Sequence, residues 1–576
     1  MNTVVDLIRN LDGTPRERGV YVHRPGEDEP VEIPYQELHD AILGRVVELR
    51  EQGVGPGSRV LLPFETDERV LCTFLALIGV GALPLSVRPY LFSGGKESYV
   101  EFLRGMVARF RVDRILRSDS LQGLDLPARE LALAPLAPAR GAVALHEPRP
   151  SDVAFAQFSS GTTGIPKGVP IRHDRFLANM ALINGHDGRR GEDVSSSWLP
   201  LYHDMGLIGG LLTSFMLPHS AHLYTPMQYL MDPIGWYREL GRYRVDGTVT
   251  PNFGIDYALR YLRESEPEDL AGIDLSSLRI IYIGSEPINI ATLDEFCERM
   301  APYGMRRSVF QPCYGMAEAV LRVSVDGAGP KIRELHGGGY GVCVGKMLSS
   351  FEMRVITDDG RVAEDGELGE IELGSGTLAD GYFEDDRPMS GEDGFYATGD
   401  LGMCVAGELY ITGRAGDRMK INGQSYFASA FEQVLDALPF VRTGRTVVFQ
   451  DGERVIVLAE VLAARVFRAR RRHQEQVVDV LLERTGVKIH PGDVRFIRYG
   501  QIAKTSSGKL RRQAIAAAYG SGDVHESDLR GYLLDRVRMH TTRSVQRLTL
   551  GLRAMLRGLR RDKRPGAPAA GQTRPG

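Results

Sequence analysis

The sequence predicts an α/β protein: a large multi-sheet N-terminal domain followed by a small α+β domain. Three observations carry this prediction. Apolar strand-like runs alternate with helical patterns from the N-terminus to about residue 410. Several of those runs end in a Gly- or Ser-rich turn, where open α/β sheets place their ligands. After "ITGRAGDRMKINGQSY" the pattern changes to helix, hairpin, helix and strand, enough for one further small core.

The elements follow in order. "GSRVLLPF" predicts a strand. "VLCTFLALIGVGALPLSV" at 70–87 predicts a buried helix running into a strand; glycines and a proline interrupt it and the amphipathic "ETDERV" precedes it, so it is not read as a membrane span. "DVAFAQF", "SLRIIYIG", "RSVFQP", "LGEIELG" and "GELYITG" predict further strands. In the C-terminal part, "RTVVFQDGERVIVLAEV" predicts a hairpin turning at Asp451–Gly452, and "DVRFIRYG" a last strand. Beyond Gly520 come "SGDVHESDLRG", a basic helical stretch, and "RPGAPAAGQTRPG", whose Pro/Gly content predicts disorder.

Bulk properties narrow the function. A chain of 576 residues exceeds one ordinary core, and 43% hydrophobic with 25% charged residues is a globular composition. A net charge of -4 gives no reason to expect nucleic acid. The five cysteines form no C-x-x-C pair, which argues against a disulfide framework or a zinc site and fits a reducing, cytoplasmic location. "MNTVVDLIRNLDG" carries acids where an export signal needs a basic lead.

Five short motifs carry chemistry. "SSGTTGIPKG" offers backbone N–H groups in a glycine-permitted curve, several hydroxyls and the ammonium of Lys167, a set suited to polyphosphate, without Walker A spacing. "GSEPI" at 284–288 and "QPCYGMAEAV" at 311–320 each follow a strand; the second sets an aromatic face, Tyr314, near a carboxylate, Glu318, as a purine and its magnesium need. "YATGDLG" puts Asp400 at an expected strand-end turn, where a carboxylate can accept both hydroxyls of a ribose. "AKTSSGKLRR" holds Lys509 in a Gly/Ser turn.

In this order the five motifs resemble those of the adenylate-forming superfamily of acyl-CoA synthetases, fatty acyl-AMP ligases, nonribosomal adenylation domains and luciferases, over residues 5–518. The resemblance implies a reaction in which ATP and a carboxylic acid yield acyl-AMP and pyrophosphate. It implies that Ser160, Gly161, Thr162, Thr163, Gly164 and Lys167 hold phosphates, that Glu318 with Thr162 holds Mg2+, and that Gly284, Ser285, Glu286, Tyr314, Gly315 and Met316 frame the adenine. Asp400 and Arg414 would take the ribose, and Lys509 would bridge the carboxylate and the α-phosphate as charge builds. Implied boundaries are an adenylation domain over 1–412, a hinge over 413–418 centred on Gly416, a small mobile domain over 419–520, and an extension over 521–576.

Three stretches, "SWLPLYHDMGLIGGLL", "TPNFGIDYAL" and "YGMAEA", are similar to fatty acyl-AMP ligases, which load acyl carrier proteins. This likeness places His203 near the substrate carboxylate and Trp198, Met205 and Phe253 with it at the acyl pocket. Only a short segment follows "YGMAEA" where those ligases carry an insertion, which keeps coenzyme A in play; Ser425, where coenzyme A-using relatives often have arginine, points back to carrier protein. The expected function is therefore activation of a fatty or related acid and transfer to a phosphopantetheine carrier. The alternatives are an acyl-CoA synthetase and, from another class, an inactive acyl- or nucleotide-binding module. Residues 540–564 hold eight Arg/Lys against one acid on an amphipathic helical pattern, suited to an acidic carrier, an anionic membrane or the protein's own surface.

Overall fold

The computed structural model describes residues 1–90, 95–158, 166–335, 340–421, 424–462, 465–504 and 510–533. Its α/β architecture is the predicted one, built on three large sheets and a smaller C-terminal set.

The first sheet has nine strands. Phe310–Gly315, Ile280–Gly284, Gly247–Pro251, Val194–Ser197, Ser220–Leu223 and Gly19–Val22 run parallel at its centre, and antiparallel strands close both edges. The second, of six strands, is parallel through Arg129–Ala132, Arg114–Arg117, Arg59–Pro63, Leu83–Val87 and Val153–Phe158, with Gly168–Arg172 antiparallel at its end. Parallel sheets are covered on both faces, so their strands read as unbroken apolar runs. Ile281, Tyr282 and Ile283 are all buried, which is why "RIIYIG" is legible as a strand.

The helix Glu68–Val80 shows how local signals set an element. The Asp67 side chain accepts hydrogen bonds from the Arg69 and Val70 amides at its start, and Gly81 ends it at φ 83°. Every residue from Val70 to Val80 is buried, and the chain turns straight into the strand Leu83–Val87. The all-round apolar pattern is that of a core helix.

The third large sheet is antiparallel, in the order Ile332–Glu334, Tyr340–Cys343, Glu408–Arg414, Tyr396–Val405, Gly369–Gly374, Glu352–Ile356. It carries the chain towards the C-terminal part. There the pair Arg418–Ile421 and Gln424–Phe427 is followed by a three-stranded sheet of Val441–Asp451, Arg454–Val461 and Val494–Ile497. Helices Ala428–Asp436 and Arg470–Thr485 pack on this sheet through Phe431, Leu435, Val477 and Leu481. The hairpin turn falls one residue later than expected. Asp451 pairs with Arg454, leaving Gly452 and Glu453 as the two loop residues, because Gly452 at φ 61° is the one suited to a left-handed turn position.

The chain beyond Gly520, expected as a separate extension, continues to pack on the small unit. Ile497 bridges to Glu526, the Ser527 amide donates to the Phe496 carbonyl at 2.8 Å, and Tyr532 is buried against Phe467 with its hydroxyl on the Leu462 carbonyl. The basic stretch 540–564 lies outside the described residues.

Candidate functional site

Strands Ile280–Gly284 and Phe310–Gly315 are parallel neighbours, so "GSEPI" and "YGMAEA" emerge side by side at the carboxyl edge of the nine-stranded sheet. Gly284 permits the approach; a Cβ there would lie 2.5 Å from the Cys313 carbonyl oxygen. Two non-glycine residues in these loops hold positive φ, Ser285 at 68° and Val320 at 71°. Such backbone costs energy and collects at sites where a particular loop shape is required.

Tyr314, Asp400 and Arg414 meet at this edge. The Tyr314 hydroxyl donates to Asp400 Oδ2 at 2.7 Å, and Arg414 Nε lies 2.9 Å from Asp400 Oδ1. Burial, then the adjacent Asp400 carboxylate, push the Tyr314 phenol well above its usual range, so it stays a donor. The Asp400 carboxylate raises the Arg414 guanidinium in turn. Asp400 does not sit in a strand-end turn. It lies inside the long strand Tyr396–Val405, at a register shift where Gly399 takes φ 72° and bulges the chain. The bulge aims the carboxylate out of the ladder, an effect a turn was expected to supply.

Lys167 and Glu318 are linked through Tyr382. The Tyr382 hydroxyl donates to Glu318 Oε1 at 2.9 Å, and Lys167 Nζ stands 4.4 Å from the centre of the Tyr382 ring. Burial and the Glu318 carboxylate raise the Tyr382 phenol. Sequence reasoning missed Tyr382, which lies in "DGYFEDD" with no motif of its own. Ser160, Gly161, Thr162, Thr163, Gly164 and Lys509 lie outside the described residues.

His203 precedes a π-helical segment, Met205–Leu212, whose wide turns are often found at functional sites. Its ring lies 4.6 Å from that of Tyr202, and Asp204 caps the segment through the Met205 amide at 2.7 Å. A cleft opens between this segment and the sheet. Asp204, Met205, Ser285, Tyr314 and Gly315 line it, as does Tyr282 with Arg322 over its ring and Asp187 and Arg189 paired beside it. Ser285 Oγ meets Met205 Sδ at 3.3 Å. Trp198, His203 and Phe253, expected at the acyl pocket, do not line this cleft. Trp198 is buried and stacked on Tyr229 at 4.0 Å, with Phe253 edge-on at 5.7 Å, so its large apolar surface is spent in the core.

The small unit reaches the large one beside this edge. Lys504 is half-buried, and a Cβ on Gly444 would lie 3.5 Å from its Nζ and 3.7 Å from Asp256 Oδ2. Burial lowers the Lys504 ammonium, opposed by the carboxylates of Glu286 and Asp256. Gly416 sits in the short turn Ala415–Asp417 with no left-handed φ and room for a side chain, so this arrangement does not require a glycine there. Arg512 donates to Asp417 Oδ2 at 2.6 Å and to Glu432 Oε1 at 2.9 Å, tying that turn to the small unit.

Among the described residues no group of three or more His, Cys, Asp or Glu side chains could hold a metal. Magnesium bound through substrate phosphates needs fewer protein ligands, and Glu318, whose Oε1 is the oxygen engaged by Tyr382, is a carboxylate of the hard-donor type that ion takes.

Residues 9–383 match the AMP-binding enzyme family. The chain is 28% identical to the medium-chain-fatty-acid–[acyl-carrier-protein] ligase JamA of Moorena producens, over 66% of this chain and 69% of that one. It is 28% identical to the long-chain-fatty-acid–AMP ligase FadD26 of Mycobacterium marinum, over 84% of this chain and 90% of that one. Among solved structures, a fatty acyl-adenylate ligase from a study of the E. coli and L. pneumophila enzymes superposes with a TM-score of 0.81 at 27% identity, covering 90% of this chain and 98% of that one.

Proposed function

This chain belongs to the AMP-binding enzyme family, and we propose that it activates a fatty or related carboxylic acid with ATP and passes the acyl group to the phosphopantetheine thiol of an acyl carrier protein. The observation that carries the reading is the joining of Tyr314, Asp400 and Arg414 beside the Ser285–Gly315 mouth of the cleft. A nucleoside held by the first set has its α-phosphate directed towards an acid lying in the second.

In the first step a carboxylate oxygen attacks the α-phosphorus of ATP, the bond to the bridging oxygen breaks, and pyrophosphate leaves. Asp400 would accept the ribose hydroxyls, with Tyr314 and Arg414 holding its two oxygens in place. Lys167 would meet the departing phosphates, with Ser160, Gly161, Thr162, Thr163 and Gly164 around them. Glu318 and Thr162 would hold Mg2+, which supplies neutralising charge on the phosphates when bound. Lys509 would stabilise charge developing between the carboxylate and the α-phosphate. In the second step the carrier thiolate attacks the acyl carbon and AMP leaves. The acid-activating part of this proposal is supported by the relatives named as fatty acid ligases, and the carrier by the one named for it.

The test supplies ATP and a panel of acids with either holo carrier protein or coenzyme A, and follows acyl transfer by mass spectrometry. Transfer to carrier protein is expected to exceed transfer to coenzyme A. Efficient acyl-CoA formation without carrier loading selects the synthetase reading instead, and absence of pyrophosphate release with every acid refutes activation.

A further inference from the structure

We propose, resting on the reading of this chain as an acid-activating enzyme, that its substrate carries a second oxygen acceptor, above all a carboxylate, at the end remote from the reacting carboxyl. The cleft runs from Ser285 and Gly315 down to Tyr282 and Asp187. Tyr282 lies two residues before the end of the strand Ile280–Gly284 and Ser285 opens the loop after it, so at ~3.3 Å per residue the strand alone sets the floor about 7 Å below Gly284. That span suits a chain of medium length.

The floor is charged. Arg322 donates from both terminal nitrogens to Asp187, at 2.8 Å to Oδ1 and 2.9 Å to Oδ2, and its guanidinium stands 4.2 Å over the Tyr282 ring. Arg189 Nε lies 3.9 Å from Asp187 Oδ2, within ion-pairing range and beyond a hydrogen bond. The side chains of Asp187, Arg322 and Arg189 are only 1%, 6% and 7% exposed. Burial alone would raise the Asp187 carboxyl, yet Arg322 holds it well below the usual carboxylate range.

Around the Tyr282 ring two guanidinium groups thus face one carboxylate, a local excess of one positive charge, while the other carboxylate lining the cleft, Asp204, accepts from the Met205 amide. A guanidinium has five N–H donors, and the Arg322–Asp187 pair uses two. An alkyl terminus lying here would cover the remaining donors without offering a partner, whereas a terminal carboxylate supplies both acceptors and the missing charge. A site built around hydrogen bonds rejects an analogue that lacks the matching group far more strongly than an apolar pocket rejects an extra methylene.

Suberate, ω-hydroxyoctanoate and octanoate share one chain length and differ at the far end. Pyrophosphate release by the full-length protein should give a kcat/KM for suberate at least ~10-fold above that for octanoate, with ω-hydroxyoctanoate between them. The triple variant Asp187→Leu/Arg189→Met/Arg322→Met removes all three buried charges together and leaves no stranded ion. In it the order should reverse towards octanoate. Arg189→Gln, which leaves the Arg322–Asp187 pair intact, should lower the suberate-to-octanoate ratio if the triple variant does not fold. Wild-type preference for octanoate overturns the inference while leaving acid activation standing, as does an unchanged order in both variants. No release with these or a wider panel of acids overturns activation, and the inference with it.

Discussion

Tyr314 and Asp400, 86 positions apart, are joined by a 2.7 Å hydrogen bond that ties the end of a parallel strand to a bulge in the antiparallel sheet. The bond fixes the carboxylate from one side while Arg414 holds it from the other at 2.9 Å. A ribose-binding role for this carboxylate requires that orientation to be set before ATP arrives.

Asp400→Ala is accordingly expected to raise the KM for ATP by ~10- to 100-fold, the worth of hydrogen bonds to a charged group. Tyr314→Phe keeps the carboxylate and removes one orienting bond, so a rise of about fivefold is expected. Steady-state kinetics at saturating acid measure both. An unchanged KM in Asp400→Ala would remove this residue from the nucleotide site.

Asp400 also shows where the sequence was legible and where it was not. The motif "TGD" singled the residue out as a candidate, but its place inside a strand was not readable, because a bulge depends on how Tyr396–Val405 registers against Gly369–Gly374. Apolar runs such as Ile280–Gly284 were plain, since a strand covered on both faces needs no polar alternation. Val194–Ser197 is as buried and central, yet its three serines hide it from any hydrophobic pattern. Trp198 carried an aromatic signal that suited either pocket or core, and packing against Tyr229 decided for core. Arg322 offered a signal that was passed over: a lone charge in the apolar run "AVLRVSV" must have a buried partner, and Asp187 is that partner.

Lys509→Ala is expected to reduce acyl-AMP formation by ~10²-fold or more while ATP still binds, because the ammonium acts on charge that appears during attack. Pyrophosphate release and equilibrium nucleotide binding, measured on the same preparation, separate the two effects. Adenylation at more than about a tenth of the wild-type rate would exclude the assigned role.

The contact between the two units is expected to depend on pH. Burial raises the Asp436 carboxyl to about 8, with Asp256 and Glu432 adding to the rise, and burial raises that of Asp256 to about 6 against the pull of Arg260 and Lys504. Each group binds its proton more tightly folded than unfolded. The stability this contributes is complete below the ordinary aspartate value of 3.8, and is lost as pH rises through about 6 and then about 8. Protease cleavage within 413–418 should therefore accelerate between those values, and Asp436→Asn should flatten the upper half of the profile. A cleavage rate that falls over the same range would contradict the assignment.

Two truncations distinguish the packed part of the C-terminal extension from the rest. Residues 526–533 are held to the small unit by Glu526, which is shared between Arg470 and Arg495, and by Tyr532, which is buried against Phe467. Removing 526–576 exposes that surface and should cost about 2 kcal/mol, mainly the burial of the tyrosine ring, and lower the melting temperature. Removing only 540–576 leaves every one of these contacts in place. It also deletes eight Arg/Lys and a single acid between 540 and 564, from a protein whose total charge is -4. Such segregated charge accelerates encounter with an acidic partner without entering the reaction itself. The shorter deletion should therefore leave acyl-AMP formation unchanged and slow loading of an acidic carrier protein at low salt, with the difference closing as salt is raised. Loss of adenylation or of folding on removal of 540–576 would instead make that stretch part of the folded core, and the docking role would fall.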